Sequence, residues 1–218
     1  MRNAQGRGRN REATGRRHVH FASCMGGTRG YSLLELMFAA ALCVTAGAVA
    51  APLLLTAVDD VRATGAVSYL STRLQQARTE AVKRSADVGL RFIETPKGYA
   101  YAVYVDGNGN GVRTADIDRG DDRRIGPVEH LTDHFAGVDF GVLPGLPAVD
   151  AGSAVPGTDP IKLGSSSILT FTAAGTSSSG SLYLLGRRSL QYVVRVLGET
   201  GKTRVLKFDV RAHQWKAP

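Results

Sequence analysis

The most distinctive set of oxygen side chains lies in the stretch DGNGNGVRTADID, which begins at Asp106. Carboxylate or amide groups stand at its positions 1, 3 and 5 and a glycine at position 6, as in the first half of an EF-hand calcium loop. Position 12, where that loop has a glutamate, is Ile117, so Asp116 or Asp118 would have to replace it. The predicted calcium ligands are Asp106, Asn108, Asn110 and Asp116. The alternative is a metal-free turn, because Asn-Gly pairs favour left-handed backbone conformations.

A second candidate is the basic C-terminal part of the chain. From Ser181 onward there are eight Lys or Arg residues against two acids, Glu199 and Asp209. If these cationic side chains lay at the tip of a β-hairpin, they would bind the phosphates of a nucleic acid with little preference for its base sequence. The alternative is a solvated basic face without a ligand, which is what most runs of charge are.

One carboxylate stands in an otherwise uncharged stretch near the N-terminus. Between Tyr31 and Val58 the only charged residue is Glu35, and the stretch exceeds the about 20 apolar residues that span a bilayer. An ionisable group inside a membrane segment is costly and usually has a partner. The stretch therefore predicts a membrane helix with a functional carboxylate.

Three interpretations of this stretch compete. It would be a plain anchor if Glu35 lay at the wet interface. It would be a secretory signal peptide if cleavage followed the small residues Ala48-Val49-Ala50. In the third interpretation, the string Gly30-Tyr31-Ser32-Leu33-Leu34-Glu35 is a single motif, and it resembles the prepilin signature of type IV pilins and type II secretion pseudopilins.

The prepilin resemblance implies a processing and assembly role for three residues. A prepilin peptidase would cleave between Gly30 and Tyr31 on the cytoplasmic side, Tyr31 would be N-methylated, and the helix would stay on the mature protein. Glu35 would then neutralise the terminal ammonium of a neighbouring subunit inside a filament, where unpaired charges are costly. The sequence departs from the family at Tyr31, where phenylalanine is more common.

Further stretches resemble the GspH/FimT family of minor pseudopilins. Residues 74–84, LQQARTEAVKR, are similar to the family's helix, and residues 168–176, ILTFTAAGT, to a late strand and turn. Gly201-Lys202-Thr203-Arg204 resembles the turn by which FimT-like minor pilins are thought to hold DNA, with lysine in place of the first arginine. The resemblance implies Lys202 and Arg204 as candidate DNA contacts.

Charge and cysteine content fit export of the larger part of the chain. Of 218 residues, the first 30 contain seven Arg and one Glu, and the remainder has 20 basic and 18 acidic residues. A basic segment before a membrane helix favours a cytoplasmic N-terminus; the alternative is a nucleic-acid-binding arm. Beyond Val58 there is no cysteine and hence no disulfide.

The chain has no pattern typical of an enzyme. It contains no Gly-x-Ser-x-Gly motif and no phosphate-binding loop. His130 and His134 have a spacing that binds metal only on a helix, and glycines and a proline flank them. We therefore predict a non-enzymatic protein.

The elements that position these residues are one long helix and a sheet. Apolar residues at helical spacing extend the helix to about Ser85. The predicted buried face consists of Val67, Leu70, Leu74, Ala77 and Ala81. β-branched and aromatic runs predict strands at 88–93, 99–105, 135–143, 168–172, 182–185, 192–197 and 204–210. The stretch 144–167 is predicted to be a long surface loop.

Together these features predict an α+β, pilin-like fold in which a long N-terminal helix packs on an antiparallel sheet. The expected organisation is a leader (1–30), a transmembrane half-helix (31–58), an amphipathic half-helix (59–86) and a β-rich periplasmic domain (87–218) with loops 106–122 and 144–167. The resemblance implies a minor pseudopilin of a type II secretion system in the inner membrane. Its partners would be other pseudopilins or pilins, the prepilin peptidase and the assembly platform. The alternative is a FimT-like minor pilin that binds DNA.

Overall fold

A computed structural model describes residues 30–150, 152–164 and 166–218, so residues 1–29 of the predicted leader lie outside it. Its helices are α1 (Leu33–Arg84), α2 (Thr114–Arg119) and α3 (Leu131–His134). Its strands are β1 (Val88–Thr95), β2 (Gly98–Val105), β3 (Arg123–Arg124), β4 (Glu129–His130), β5 (Asp139–Phe140), β6 (Ile161–Lys162), β7 (Ile168–Phe171), β8 (Gly180–Leu185), β9 (Gln191–Leu197), β10 (Lys202–Asp209) and β11 (Gln214–Lys216). The fold is α+β, as predicted.

α1 is a continuous helix of 52 residues. Pro52 lies inside it and removes one backbone N–H, but the helix continues, and the Thr56 hydroxyl bonds to the Pro52 carbonyl at 3.1 Å. The helix ends at Arg84, close to the predicted end, because Ser85 turns into the left-handed conformation with φ +49°. A left-handed residue is a common way to terminate a helix.

One face of α1 is buried from Asp59 to Ala81. All five residues of the predicted face are buried, and Leu70 and Leu74 are fully inaccessible. All five belong to a hydrophobic cluster with Leu90, Leu169 and Val194, so the helix packs against strands of both sheets. Burying each leucine side chain stabilises the fold by about 1.5–3 kcal/mol. This packing is part of a unit that extends from Gly47 to Pro218.

The first sheet has the strand order β3-β2-β1-β7, and β4 also pairs with β2. β1 and β2 form an antiparallel hairpin that pairs Thr95 with Gly98, so Pro96 and Lys97 form its turn between the two predicted strands. Gly98 has φ +102°, which only glycine adopts without strain. The loop 106–122 leaves this sheet at the end of β2.

The second sheet has the strand order β11-β10-β9-β8-β5, and β6 also pairs with β8. β8, β9 and β10 are successive antiparallel neighbours, so β8 and β10 run in the same direction. One face of this sheet packs on α1, and the other carries a second cluster that contains Leu146, Val193, Leu206 and Phe208. The sheet is therefore covered on both faces.

The prediction was wrong for two segments. Residues 135–143 were predicted as one strand, but only Asp139–Phe140 is extended, because Gly137 has φ +84° and the Val138 N–H bonds back to the Phe135 carbonyl. The stretch 144–167 was predicted as a surface loop. Instead it contains β6. It buries Leu146 on the outer face of the second sheet and Ile161 in the cluster that includes the buried face of α1.

Candidate functional site

The N-terminal motif leads directly into α1. Gly30, Tyr31 and Ser32 precede the helix, and the Glu35 N–H donates to the Ser32 hydroxyl at 3.2 Å. A serine in this position satisfies a backbone N–H that has no partner within the helix. The Glu35 side chain is exposed and has no salt bridge among the described residues. Its carboxylate is therefore available to a group outside the described chain.

The first half of α1 exposes its apolar side chains on all sides. An 18-residue window has a mean hydropathy of 2.2, and none of it is buried. Tyr31, Leu34 and Phe38 are 74%, 79% and 69% exposed. Exposing apolar surface to water costs about 25 cal/mol per Å², so this surface fits a lipid environment or other apolar helices. By length and composition the helix is able to span a membrane.

The Asp106 carboxylate holds the backbone of its own loop. Its oxygens accept the N–H groups of Asn108 at 3.0 Å, Gly109 at 2.8 Å and Gly111 at 2.7 Å. Burial raises the pKa of Asp106, but these N–H groups and that of Asn110 outweigh it, and the pKa lies below its usual value. The carboxylate thus stabilises the tight turn that the alternative interpretation predicts.

Two of the other predicted calcium ligands already have partners within the loop. Asn108 accepts the N–H of Asn110 at 3.1 Å, and the buried Asp116 is ion-paired with Arg119. One oxygen of Asp116, Oδ2, is buried without a hydrogen-bond partner, which a cation would satisfy. Within the described residues, however, no group of three or more His, Cys, Asp or Glu side chains is arranged to hold a metal ion. Two of the four predicted ligands are asparagines, which are not among these residue types, so calcium binding stays a prediction.

Lys202 and Arg204 lie together on the outer face of the second sheet, at the turn between β9 and β10. Gly201 forms this turn with φ +61°, and a side chain there would lie 2.6 Å from the Gly175 carbonyl. Lys202 is exposed, whereas Arg204 contacts the Asp150 carboxylate at 3.4 Å. Arg195, opposite Arg204, binds the same carboxylate at 2.9 Å. The turn is basic, but Asp150 partly neutralises it.

The eight basic residues of the C-terminal part separate into two groups. Arg195, Lys202 and Arg204 lie at the end of the sheet where Thr203 contacts Gln75 of α1. Lys207 lies toward the other end of β10 and binds Asp60 at 2.5 Å. The sequence alone suggested one continuous basic segment. The alternation of strands and turns instead places its members at opposite ends of the second sheet.

A buried polar network that the sequence analysis did not identify joins α1 to the first sheet. Glu129 accepts hydrogen bonds from the Tyr69 hydroxyl at 2.7 Å and the Tyr101 hydroxyl at 3.0 Å, and it is ion-paired with Arg73. Burial raises the pKa of Tyr101 far above its usual value. The acid follows Gly126-Pro127 in a segment without periodicity, so no sequence signal marks it. The network fixes the helix relative to β2 and β4.

The larger part of the chain matches a known protein family. The profile of the family described as "Type II transport protein GspH" matches residues 66–201, which is more than half of the chain. A comparison with curated proteins gives no match. Among solved structures the chain is similar to the minor pseudopilin EpsH from the type 2 secretion system of Vibrio cholerae, at 14% identity and a TM-score of 0.41, covering 67% of this chain and 97% of that chain.

The family match begins within the buried face of α1 and ends at the β9–β10 turn, so it includes the packed half of the helix and most of both sheets. Members of this family are structural subunits and not enzymes. The chain belongs to the GspH family of type II transport proteins and is a GspH-like pseudopilin.

Proposed function

We propose that the protein is a minor pseudopilin of a type II secretion system, a structural subunit of the periplasmic pseudopilus that drives protein export. The observation that carries this proposal is α1 itself: an apolar half that is exposed on all sides continues into a half that is buried against a GspH-family domain. Such a helix can leave lipid and pack against the equivalent helices of neighbouring subunits while its domain stays folded.

In this proposal the prepilin peptidase cleaves between Gly30 and Tyr31, and Tyr31 becomes N-methylated. Gly30 and Tyr31 precede the first helical turn, so the bond lies outside the helix, where a peptidase can bind it. Cleavage removes the basic leader and leaves Glu35 one helical turn from the new ammonium group. The inner-membrane assembly platform would then move the mature subunit from lipid into the filament.

Glu35 is proposed to pair with the N-terminus of an adjacent subunit. Its side chain is exposed on the isolated chain and lies among apolar residues, so packing into a filament core would bury the charge. Removing one partner of a buried pair costs about 3–5 kcal/mol. Only a neighbour in register would supply the opposite charge, and so the pair favours a defined stagger of subunits.

The proposed localisation is the inner membrane, with a single span and the domain in the periplasm. The seven Arg residues before Tyr31 favour retention of the N-terminus in the cytoplasm. The secretion role is tested in a strain that lacks the gene. Restoring it should recover export of type II substrates, and a strain that exports normally but no longer takes up DNA would contradict the proposal.

The second candidate function, a FimT-like minor pilin that binds DNA, is supported by the exposed side chain of Lys202 beside Arg204. Phosphate contacts of this kind weaken steeply with salt. Changing Lys202→Ala together with Arg204→Ala should lower DNA affinity at low salt if this function holds. Unchanged affinity, with Arg187→Ala as the matched control, would remove its support.

Calcium binding by the 106–118 loop stays a prediction. If a cation recruits Asp116, the bond of this residue to Arg119 must break and the loop must rearrange. Calorimetry of the full chain with Ca²⁺ tests this. Absence of heat up to millimolar concentration, which is the range of weak extracellular sites, would exclude it.

A further inference from the structure

Two hairpin tips lie at the same edge of the second sheet. β8 and β10 run in the same direction, so the β8–β9 turn (residues 186–190) and the β10–β11 turn (residues 210–213) both follow the carboxyl ends of parallel strands. The basic edge consists of these two tips, the adjoining residues 207–209 of β10 and 214–216 of β11, and residues 58–62 of α1.

The basic edge lies beside the part of α1 where the apolar run ends. Arg188 in the first tip binds Asp59 at 3.2 Å, and Lys207 next to the second tip binds Asp60 at 2.5 Å. The opposite end of β10 lies much farther along the helix, where Gly201 approaches Arg78. Since Val58 is the last residue of the apolar run, the basic edge lies beside the end of that run.

Positive charge predominates on this edge. The cationic residues are Arg62, Arg187, Arg188, Lys207, Arg211 and Lys216, and the acidic ones are Asp59, Asp60 and Asp209. Each of the three carboxylates is already ion-paired within the edge. In the described part of the chain, Arg187 and Arg211 are exposed and have no carboxylate partner. The edge therefore has cations available for an external anion.

Apolar side chains are exposed next to these cations. Val210, at the tip of the β10–β11 turn, is 61% exposed, and Val61 on α1 is 71% exposed. Val210, Phe208 and Lys216 help to line a hollow of about 350 Å³. A surface that combines cations with exposed apolar residues fits a lipid headgroup region better than a nucleic acid, which offers little apolar contact at its backbone.

The tips hold backbone conformations that are uncommon for their residues. Arg188 and Ser189 have φ +54° and +60°, and His213 in the second tip has φ +50°. Such conformations persist where the surrounding structure imposes them, and they concentrate at functional positions. Here they turn the two tips so that Arg188 meets Asp59 and the Asp209 carboxylate accepts the N–H groups of Arg211 and Ala212.

We propose that the basic edge is a docking surface for anionic phospholipid headgroups of the membrane that α1 spans. The proposal rests on the membrane insertion described under the proposed function. Contact between headgroups and Arg187, Arg211 and Val210 would hold the domain against the bilayer before the subunit enters a filament. Electrostatic attraction of this type acts over about one Debye length, roughly 10 Å, so only an edge adjacent to the span experiences it.

The only tryptophan of the chain, Trp215, reports on this contact. It lies in β11 beside Phe208, with its indole N–H held by the Pro147 carbonyl at 3.0 Å. The full chain is reconstituted in vesicles whose lipids carry bromine at the same acyl positions, either pure phosphatidylcholine or a mixture with phosphatidylglycerol. We expect stronger quenching of Trp215 in the anionic vesicles and loss of this difference at high salt.

Two charge-reversed double variants locate the effect. Arg187→Glu with Arg211→Glu should abolish the dependence on lipid charge, whereas the matched Lys202→Glu with Arg204→Glu, at the other end of β10, should retain it. Thermal unfolding establishes that each variant is folded. The salt dependence of Trp215 quenching in the unchanged protein provides a further test that needs no variant. An equal loss in both variants would show attraction by overall charge and would overturn the proposed surface.

Insertion is measured separately by alkaline carbonate extraction of the same vesicles. A chain that is extracted would contradict the membrane insertion itself. A chain that stays inserted but shows equal quenching in both lipids and at both salt concentrations would overturn only the docking surface. That second result is also expected if the basic edge binds an acidic neighbouring subunit instead of lipid.

Discussion

At the scale of single residues, Glu35 is the side chain on which the proposed assembly depends. It is exposed, lies among apolar side chains and has no ion pair among the described residues. A residue of this kind is costly in lipid and in a filament core unless it is paired. The proposed partner, the N-terminus of another subunit, would offset this cost.

Replacing Glu35 with leucine should separate insertion from assembly. We expect the Glu35→Leu protein to insert and to be cleaved, because the apolar segment becomes more apolar, but to be absent from filaments, because the neighbouring ammonium loses its partner. The measurement is the fraction of protein recovered in sheared filaments relative to membranes. Thr45→Leu, which removes an uncharged polar group from the same segment, is the matched control and should assemble normally. Normal incorporation of the Glu35→Leu protein would contradict the pairing.

Asp139 should destabilise the fold as pH rises. Burial raises its pKa, and the N–H groups of Phe140 and Tyr99 offset this only in part. Because the folded pKa is above the unfolded one, its favourable contribution is present below the unfolded pKa and is lost as pH rises through the folded pKa. Asp139→Asn should thus raise the unfolding temperature at neutral pH and have little effect in acid.

Asp106 should show the opposite pH dependence. Its folded pKa lies below its usual value, so its contribution is present above the unfolded pKa and is lost as pH falls through the folded pKa. Asp106→Asn should lower the unfolding temperature at neutral pH, and the difference should close in acid. Unfolding of the full chain in detergent across this range measures both variants. A pH dependence of the same sign in the two would contradict the assignments.

At the scale of elements, the Glu129 network is the polar connection between α1 and the first sheet. Changing Glu129→Gln keeps the size of the side chain but leaves Arg73 without its counter-charge. Breaking a fully buried pair costs about 3–5 kcal/mol, and we expect about 2–3 kcal/mol here because Arg73 is partly exposed. Chemical unfolding of the full chain provides the measurement. Glu80→Gln, at an exposed pair on the same helix, is the control and should change stability little; equal effects would contradict the role of burial.

Gly65 lies inside α1 at a point where the ring of Phe135 packs against the helix. A Cβ at this position would lie 2.8 Å from the Phe135 ring. Alanine normally stabilises a helix interior by about 1 kcal/mol relative to glycine. Gly65→Ala should instead destabilise the fold by about 1–2 kcal/mol, since crowding in a packed contact outweighs that gain. Adding Phe135→Leu should restore stability, and a stabilising single substitution would show that the ring moves freely.

The elements that could be predicted are those with a strong local period. The buried face of α1 and the hairpin at Pro96-Lys97 follow from spacing and turn chemistry alone. The segment 144–167 could not be predicted, because its apolar residues are sparse and become buried only against the completed second sheet. The Glu129 network and the ion pair between Asp60 and Lys207 connect residues that are far apart in sequence. No local sequence pattern encodes such contacts.

At the scale of the whole molecule, the chain combines an apolar helical segment with a folded domain of the GspH family. The family match covers most of the domain, and the motif from Gly30 to Glu35 lies at the start of the apolar helix. The two basic groups of the C-terminal part then have different surroundings. One group lies at the distal turn with Asp150, and the other lies next to the end of the apolar run.

In the proposed function the chain is processed as a prepilin and keeps its apolar helix. The N-terminal residue and mass of the protein recovered from membranes test this processing directly. We expect a mature protein that begins with N-methylated Tyr31. A soluble protein that begins at Ala51 would contradict it, because cleavage after Ala50 would remove Glu35 and most of the apolar helix with a signal peptide.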